Sequence, residues 1–204
     1  MQDKVNNKKE QGQESEELQL KKNKKKSNKR SFLGEILNWI LIIFIAAICG
    51  YAVVTFMFQT VTVIGPSMST TLEDGQVVIV NKMTYSFSDV ERFDIIAYSQ
   101  IESEEYYEIK RVIGLPEETV QIKDGFVYIN DVKLENLPFD DRILTSGIAD
   151  KPITLSKDEY FVLGDNVNNS EDSRYSNVGN ISKSEILGKV VYIISPKEDR
   201  GKVK

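Results

Sequence analysis

Hydrophobic and polar positions divide this chain into three stretches of different texture. From Ile36 to Phe58 the residues ILNWILIIFIAAICGYAVVTFMF run without a charge. A helix of that length crosses a hydrocarbon layer of roughly 30 Å, so the run predicts one membrane anchor. A buried core helix is rarely so long and so uniformly apolar, and the apolar part of a secretory signal usually covers only about 7–15 residues. Ahead of the anchor, residues 1–35 are rich in Lys, Glu, Gln and Asn with no apolar face, which predicts a disordered tail. Beyond it, short β-rich runs recur between turn signals: Val77–Val80, Phe93–Tyr98, Tyr106–Ile113, Val120–Ile122, Phe126–Ile129, Val132–Leu134, Tyr160–Leu163 and Leu187–Ser195. Lys123-Asp124-Gly125 and Asn130-Asp131 carry tight-turn chemistry, so Thr119 to Leu134 reads as consecutive hairpins. The polar stretch 138–157 has weak periodicity and reads as an extended loop or an inserted lobe. The predicted fold is therefore mainly β: a single N-terminal transmembrane helix, then an antiparallel sheet or barrel-like domain over 59–204.

Charge orients this arrangement. Residues 1–35 carry ten basic and six acidic side chains, and the remainder carries sixteen basic and twenty-five acidic ones. Basic residues flanking an anchor stay inside, so the tail is expected in the cytoplasm and residues 59–204 on the extracytoplasmic face of the cell membrane. The tail's basic groups also suit contact with an anionic lipid bilayer. Nucleic acid is not an expected partner of the acidic portion. Nothing in the residues speaks to oligomeric state.

Composition narrows the chemistry. The chain has no histidine, which removes Ser-His-Asp triads, Cys-His pairs and histidine-ligated zinc together. Its single cysteine, Cys49, lies within the apolar run, so no internal disulfide and no thiolate cluster can form. Acid–base work falls to Lys, Asp, Glu or Tyr. A serine hydroxyl becomes a nucleophile when a base takes its proton, and a lysine serves as that base when burial favours its neutral amine. Lys110 fits, because alternation along Tyr106–Ile113 sets it among Ile109, Val112 and Ile113. Taken singly, Lys110 is an ordinary strand lysine, and Ser67 in Gly65-Pro66-Ser67 is ordinary turn composition.

The pair gains meaning from the order of motifs around it. Ser67-Met68 with Thr71-Leu72, then Asp74-Gly75, Val78-Val80-Lys82, Arg92-Phe93-Asp94-Ile95-Ile96, Tyr107 to Pro116, Gly164-Asp165-Asn166 and Ser170-Glu171-Asp172-Ser173-Arg174 follow one another in that order. This series resembles the bacterial type I signal peptidases, in their Gram-positive-like single-anchor form, over roughly residues 36 to 195. The resemblance implies a membrane-anchored serine endopeptidase with a Ser–Lys dyad that removes signal peptides from exported preproteins. Its implied roles are Ser67 as nucleophile, Lys110 as base and Ser170 as the hydroxyl that orients the lysine. The Ser67 backbone N–H is the implied oxyanion donor. Gly65 stands where some members place a second donor serine. Leu72 and Ile109 are implied to form shallow substrate pockets, and Arg111, Asp165, Asp172 and Arg174 to support the site. No metal or cofactor is required.

Several positions depart from the family pattern: Thr70 for proline, Phe93 for glycine, Glu117-Glu118 for Gly-Asp and Val167 for arginine. They leave every catalytic atom in place and would suit a specialised paralogue. Ser67 follows Phe58 closely enough that a fully extended link reaches at most about 30 Å, so the nucleophile is expected near the outer membrane surface. Exported preproteins present bonds there, with small residues at the first and third positions before the cut. Residues Gln59–Ile64 are the expected edge for pairing with an extended substrate. Penicillin-recognising Ser–Lys enzymes need Ser-x-x-Lys and Lys-Thr-Gly, and α/β-hydrolases need Gly-x-Ser-x-Gly with histidine; this chain has none of these. A repressor-type self-cleaving protease shares the dyad but carries a DNA-binding domain instead of an anchor. The rival from another class is an anchored β-domain that binds exported peptides without cutting them.

Overall fold

The structure, a computed structural model, describes residues 34–99, 106–139 and 142–203. The basic tail expected over 1–35 lies outside the described residues up to residue 33. Helix α1 covers Gly34–Met57, is long and apolar enough to cross a membrane, and leaves its apolar side chains uncovered by protein. Phe58 does not continue it, because its backbone pairs with Asn81 and opens the first strand.

Residues 54–204 form a β unit. In chain order its strands are β1 Phe58–Thr62, β2 Val77–Asn81, β3 Ile95–Tyr98, β4 Glu108–Gly114, β5 Thr119–Lys123 and β6 Phe126–Ile129. They are followed by β7 Val132–Lys133, β8 Ile153–Thr154, β9 Glu159–Leu163, β10 Ile181–Ser182, β11 Ile186–Ser195 and β12 Gly201–Lys202. One sheet runs β1-β2-β11-β3-β4-β9-β10 with β12 paired to β11, and a second runs β7-β6-β5-β8. Neighbouring strands pair antiparallel throughout both sheets. Register shifts interrupt the pairing of β11 with β2 and β3, and of β4 with β9. Each shift bends its strand and adds twist, which curls the larger sheet. The mainly β, antiparallel architecture expected from the sequence is the one observed.

Burial explains which strands lie where. The alternating patterns of β2, β5 and β6 mark strands with one covered face. The near-continuous burial of β3, β4 and β9 marks central strands covered on both. Both hairpin turns of the second sheet use two residues at positive φ, Asp124-Gly125 and Asn130-Asp131. That conformation matches the twist of the flanking strands. Within the polar stretch 138–157, the described residues hold β8 and a 3₁₀ turn, Gly147–Asp150, and send Ile143, Ala149 and Leu155 into the core shared with β5, β6 and β9. The strand expected from Phe93 begins at Ile95, because Phe93 adopts φ +72°.

Candidate active site

The connection from β1 to β2 builds the seat of Ser67. Gly65 turns the chain at φ +80° and its N–H donates to Asp74 Oδ1 at 2.8 Å. A helical turn follows, with Leu72 N–H donating to Met68 O at 2.8 Å. Met68 and Leu72 both point into the core formed by β1, β2 and β11, so the turn is pinned from below and Ser67 is left at its rim. From the other side, the segment after β9 grips the same turn. Asn166 N–H donates to Ser67 O at 3.0 Å, and Asn166 Nδ2 donates to Pro66 O at 3.1 Å. Gly164 packs so tightly here that a methyl group on it would stand 2.4 Å from Ser67 O and 2.3 Å from Ser170 Oγ.

Strand β4 supplies Lys110. Lys110 is 4% exposed, and its Nζ donates to Ser67 Oγ at 3.3 Å and to Glu108 Oε2 at 2.9 Å. Tyr98, which faces Glu108 across the β3–β4 pair, donates its hydroxyl to the same carboxylate oxygen at 3.4 Å. Burial, and then the Glu108 carboxylate, push the Tyr98 phenol well above its ordinary range, so it remains a donor. Ser67 and Lys110 open together onto a cleft of about 370 Å³ whose walls include Ile64, Tyr107, Ile109 and Glu171. That size and its mixed apolar and polar lining suit a short stretch of peptide.

Two buried ion pairs frame the site. Arg111 binds Asp165 through Nε and Nη2 at 2.8 and 2.7 Å, and Thr71 Oγ1 donates to the same carboxylate at 2.5 Å, tying β4 to the turn that carries Ser67. Arg174 binds Asp172 at 2.7 and 2.9 Å and also donates to Thr145 O and Ser170 O. Asp172 in turn accepts from Gly164 N–H. Arginine suits such sealed positions because its planar fork fills several acceptors at once.

The structure brings Ser67 and Lys110 within hydrogen-bond distance, and it buries Arg111, Asp165, Asp172 and Arg174 as two ion pairs. Three expected roles meet different geometry. Ser170 is buried, but among the described residues its Oγ has no hydrogen-bond partner, and the amine's second partner is Glu108. Leu72 is fully buried beneath the turn and does not line the cleft, whereas Ile109 does. The Gly65 N–H is committed to Asp74, while the Ser67 N–H makes no hydrogen bond among the described residues.

A family profile described as signal peptidase, peptidase S26, matches residues 36–195. The chain belongs to the signal peptidase S26 family. A signal peptidase I of Bacillus amyloliquefaciens is 34% identical over 91% of this chain and 100% of its own length. Signal peptidase IB of Staphylococcus aureus is 32% identical over 79% of this chain and 91% of its own. A solved signal peptidase I of Enterococcus faecalis, 34% identical, covers 50% of this chain and 97% of its own at a TM-score of 0.38. Signal peptidases I cleave signal peptides from exported preproteins, and this chain is a peptidase of that type.

Membership makes the departures readable. Phe93 and Glu117, each standing where glycine is common in the family, adopt φ +72° and +66°, which glycine reaches without strain. Glu118 accepts from Leu115 N–H and pairs with Arg92 through both oxygens, capping the turn it follows. Thr70 stands at φ +93°, which proline cannot adopt. Val167 is buried in the core around β9. Glu108 and Asn166 stand inside the quoted motifs without an assigned role, and Tyr98 closes a predicted strand run; the structure adds all three to the site. Glu108 had a signal, since strand alternation puts positions 108 and 110 on one face.

Proposed function

We propose that this chain is a membrane-anchored signal peptidase that cuts exported preproteins after small-x-small residues, with Ser67 as nucleophile and Lys110 as general base. The observation that carries the proposal is the 3.3 Å contact between Lys110 Nζ and Ser67 Oγ at the end of a peptide-sized cleft. Ser67 Oγ attacks the scissile carbonyl carbon as its proton passes to the neutral Lys110 amine. The Ser67 N–H donates to the oxyanion. Collapse breaks the C–N bond, and the leaving amine of the mature protein takes the proton from Lys110. Lys110 then takes a proton from water, whose oxygen attacks the acyl ester; as the ester C–O bond breaks, Lys110 returns that proton to Ser67 Oγ and the signal peptide leaves with its new carboxylate.

Helix α1 is the proposed anchor, with residues 1–35 on the cytoplasmic side by their basic excess and residues 59–204 on the extracytoplasmic face. The short span from the end of α1 to Ser67 keeps the nucleophile within reach of bonds at the bilayer surface. Strand β1 ends the larger sheet, which leaves one of its edges open to an extended substrate strand. The test is incubation of the detergent-solubilised chain with a preprotein carrying a small-x-small site, followed by mass spectrometry of the new N-terminus. A cut after the second small residue, abolished by Ser67→Ala and by Lys110→Ala, is the expected result. No cut by the folded wild-type protein across several preproteins would favour the peptide-binding alternative.

A further inference from the structure

We infer that Glu108, braced by Tyr98, is the residue that aims the Lys110 amine at Ser67, an assignment that rests on Ser67 and Lys110 being nucleophile and base. A base on a flexible four-carbon stem needs a second contact to fix its direction, as the third member of a Ser-His-Asp triad does for histidine. The nearest contact to Nζ is the Glu108 carboxylate at 2.9 Å, closer than Ser67 itself. Glu108 is held in turn by the Tyr98 hydroxyl, whose backbone lies opposite it in register. The result is a continuous line of hydrogen bonds from Tyr98 through Glu108 and Lys110 to Ser67.

The surrounding groups leave this task to Glu108. The turn after β1 offers only Ser67 to the amine. Strand β3 offers Tyr98, which already donates to Glu108. After β9, Ser170 Oγ has no hydrogen-bond partner among the described residues, Glu171 accepts from Asn177, and Asp172 is sealed by Arg174. Within β4, Arg111 is bound to Asp165. The Glu108 side chain is 56% exposed while that of Lys110 is 5% exposed, so the carboxylate reaches from the cleft inward to the buried amine.

The test is the pH profile of kcat and KM for cleavage of a small-x-small peptide by wild type, Glu108→Gln and Glu108→Ala in the full chain. Glu108→Ala is expected to lower the kcat plateau on the order of tenfold with KM little changed, because the amine loses its aim. Glu108→Gln keeps an oxygen that accepts from the amine and is expected to restore most of that plateau. Wild-type plateaus in both variants would overturn the assignment, as would an equal drop in both. Lys110→Ala separates the two ideas: if it still cleaves, the dyad itself fails, and if it is inactive while both Glu108 variants match wild type, only the role of Glu108 fails.

Discussion

Asp172–Arg174 and Glu108–Lys110 are both carboxylate–cation pairs near Ser67, yet their surroundings are opposite. Arg174 and Asp172 expose 1% and 0% of their side chains, and Arg174 fills its remaining donors with backbone carbonyls. Lys110 is as buried, but its partner Glu108 stands in the cleft and its other bond goes to Ser67. A sealed pair whose donors and acceptors are all used can hold a backbone but can move no proton. A pair with one partner in solvent and a hydroxyl at its far end can exchange protons with a substrate. On the proposed mechanism, closure separates the charges that hold the site from those that act in it.

The largest effect should come from opening the sealed pair. Arg174→Ala strands Asp172 as a buried, unpaired charge, which costs about 3–5 kcal/mol. Denaturant unfolding should show that loss, and cleavage should fall with it because Arg174 also holds the Ser170 and Thr145 backbone. Next comes the contact between the two regions. Gly164→Ala drives a methyl group into Ser67 O and Ser170 Oγ, at an expected cost of about 1–3 kcal/mol. Because that methyl displaces the nucleophile's own backbone, its kcat should drop further than stability alone explains, as a stopped assay on folded protein would reveal.

Alkaline pH should strain the scaffold more gently. Burial, with nearby carboxylates, raises the Tyr85 and Tyr98 phenols well above their ordinary value. In the unfolded chain they lose protons above about pH 10, while the folded chain keeps them, so stability is full below that pH and falls as pH rises past it. Thermal scans across that range should show the decline, and Tyr85→Phe should flatten it. The smallest effect is a gain: Glu117→Gly relieves φ +66° and is expected to stabilise by less than about 1 kcal/mol, read as a slightly raised unfolding midpoint.

The legible parts of the chain were those in which a local pattern sufficed. Asp124-Gly125 and Asn130-Asp131 announce their hairpins because two-residue turns at positive φ demand such residues. The uncharged run announces α1. By contrast β8, β10 and β12 have two residues each, too few for any alternation to register. The stretch 138–157 buries Ile143, Ala149 and Leu155 at irregular spacing, so no period betrays it. In the site, motif order placed Ser67 and Lys110, and the structure brings them together across β4 and the turn after β1. The Glu108 contact escaped notice because alternation sets a side chain's face and not its reach. Leu72 escaped too, since only the helical turn after Ser67 directs it inward, away from the cleft.

On the proposed mechanism Lys110 does the chemistry while the sealed pairs keep the fold. Preprotein cleavage by detergent-solubilised Lys110→Ala, read beside the unfolding midpoint of the same preparation, separates the two. Cleavage no higher than that of Ser67→Ala, with a midpoint close to wild type, is the predicted result. Substantial cleavage by a folded Lys110→Ala protein would contradict it.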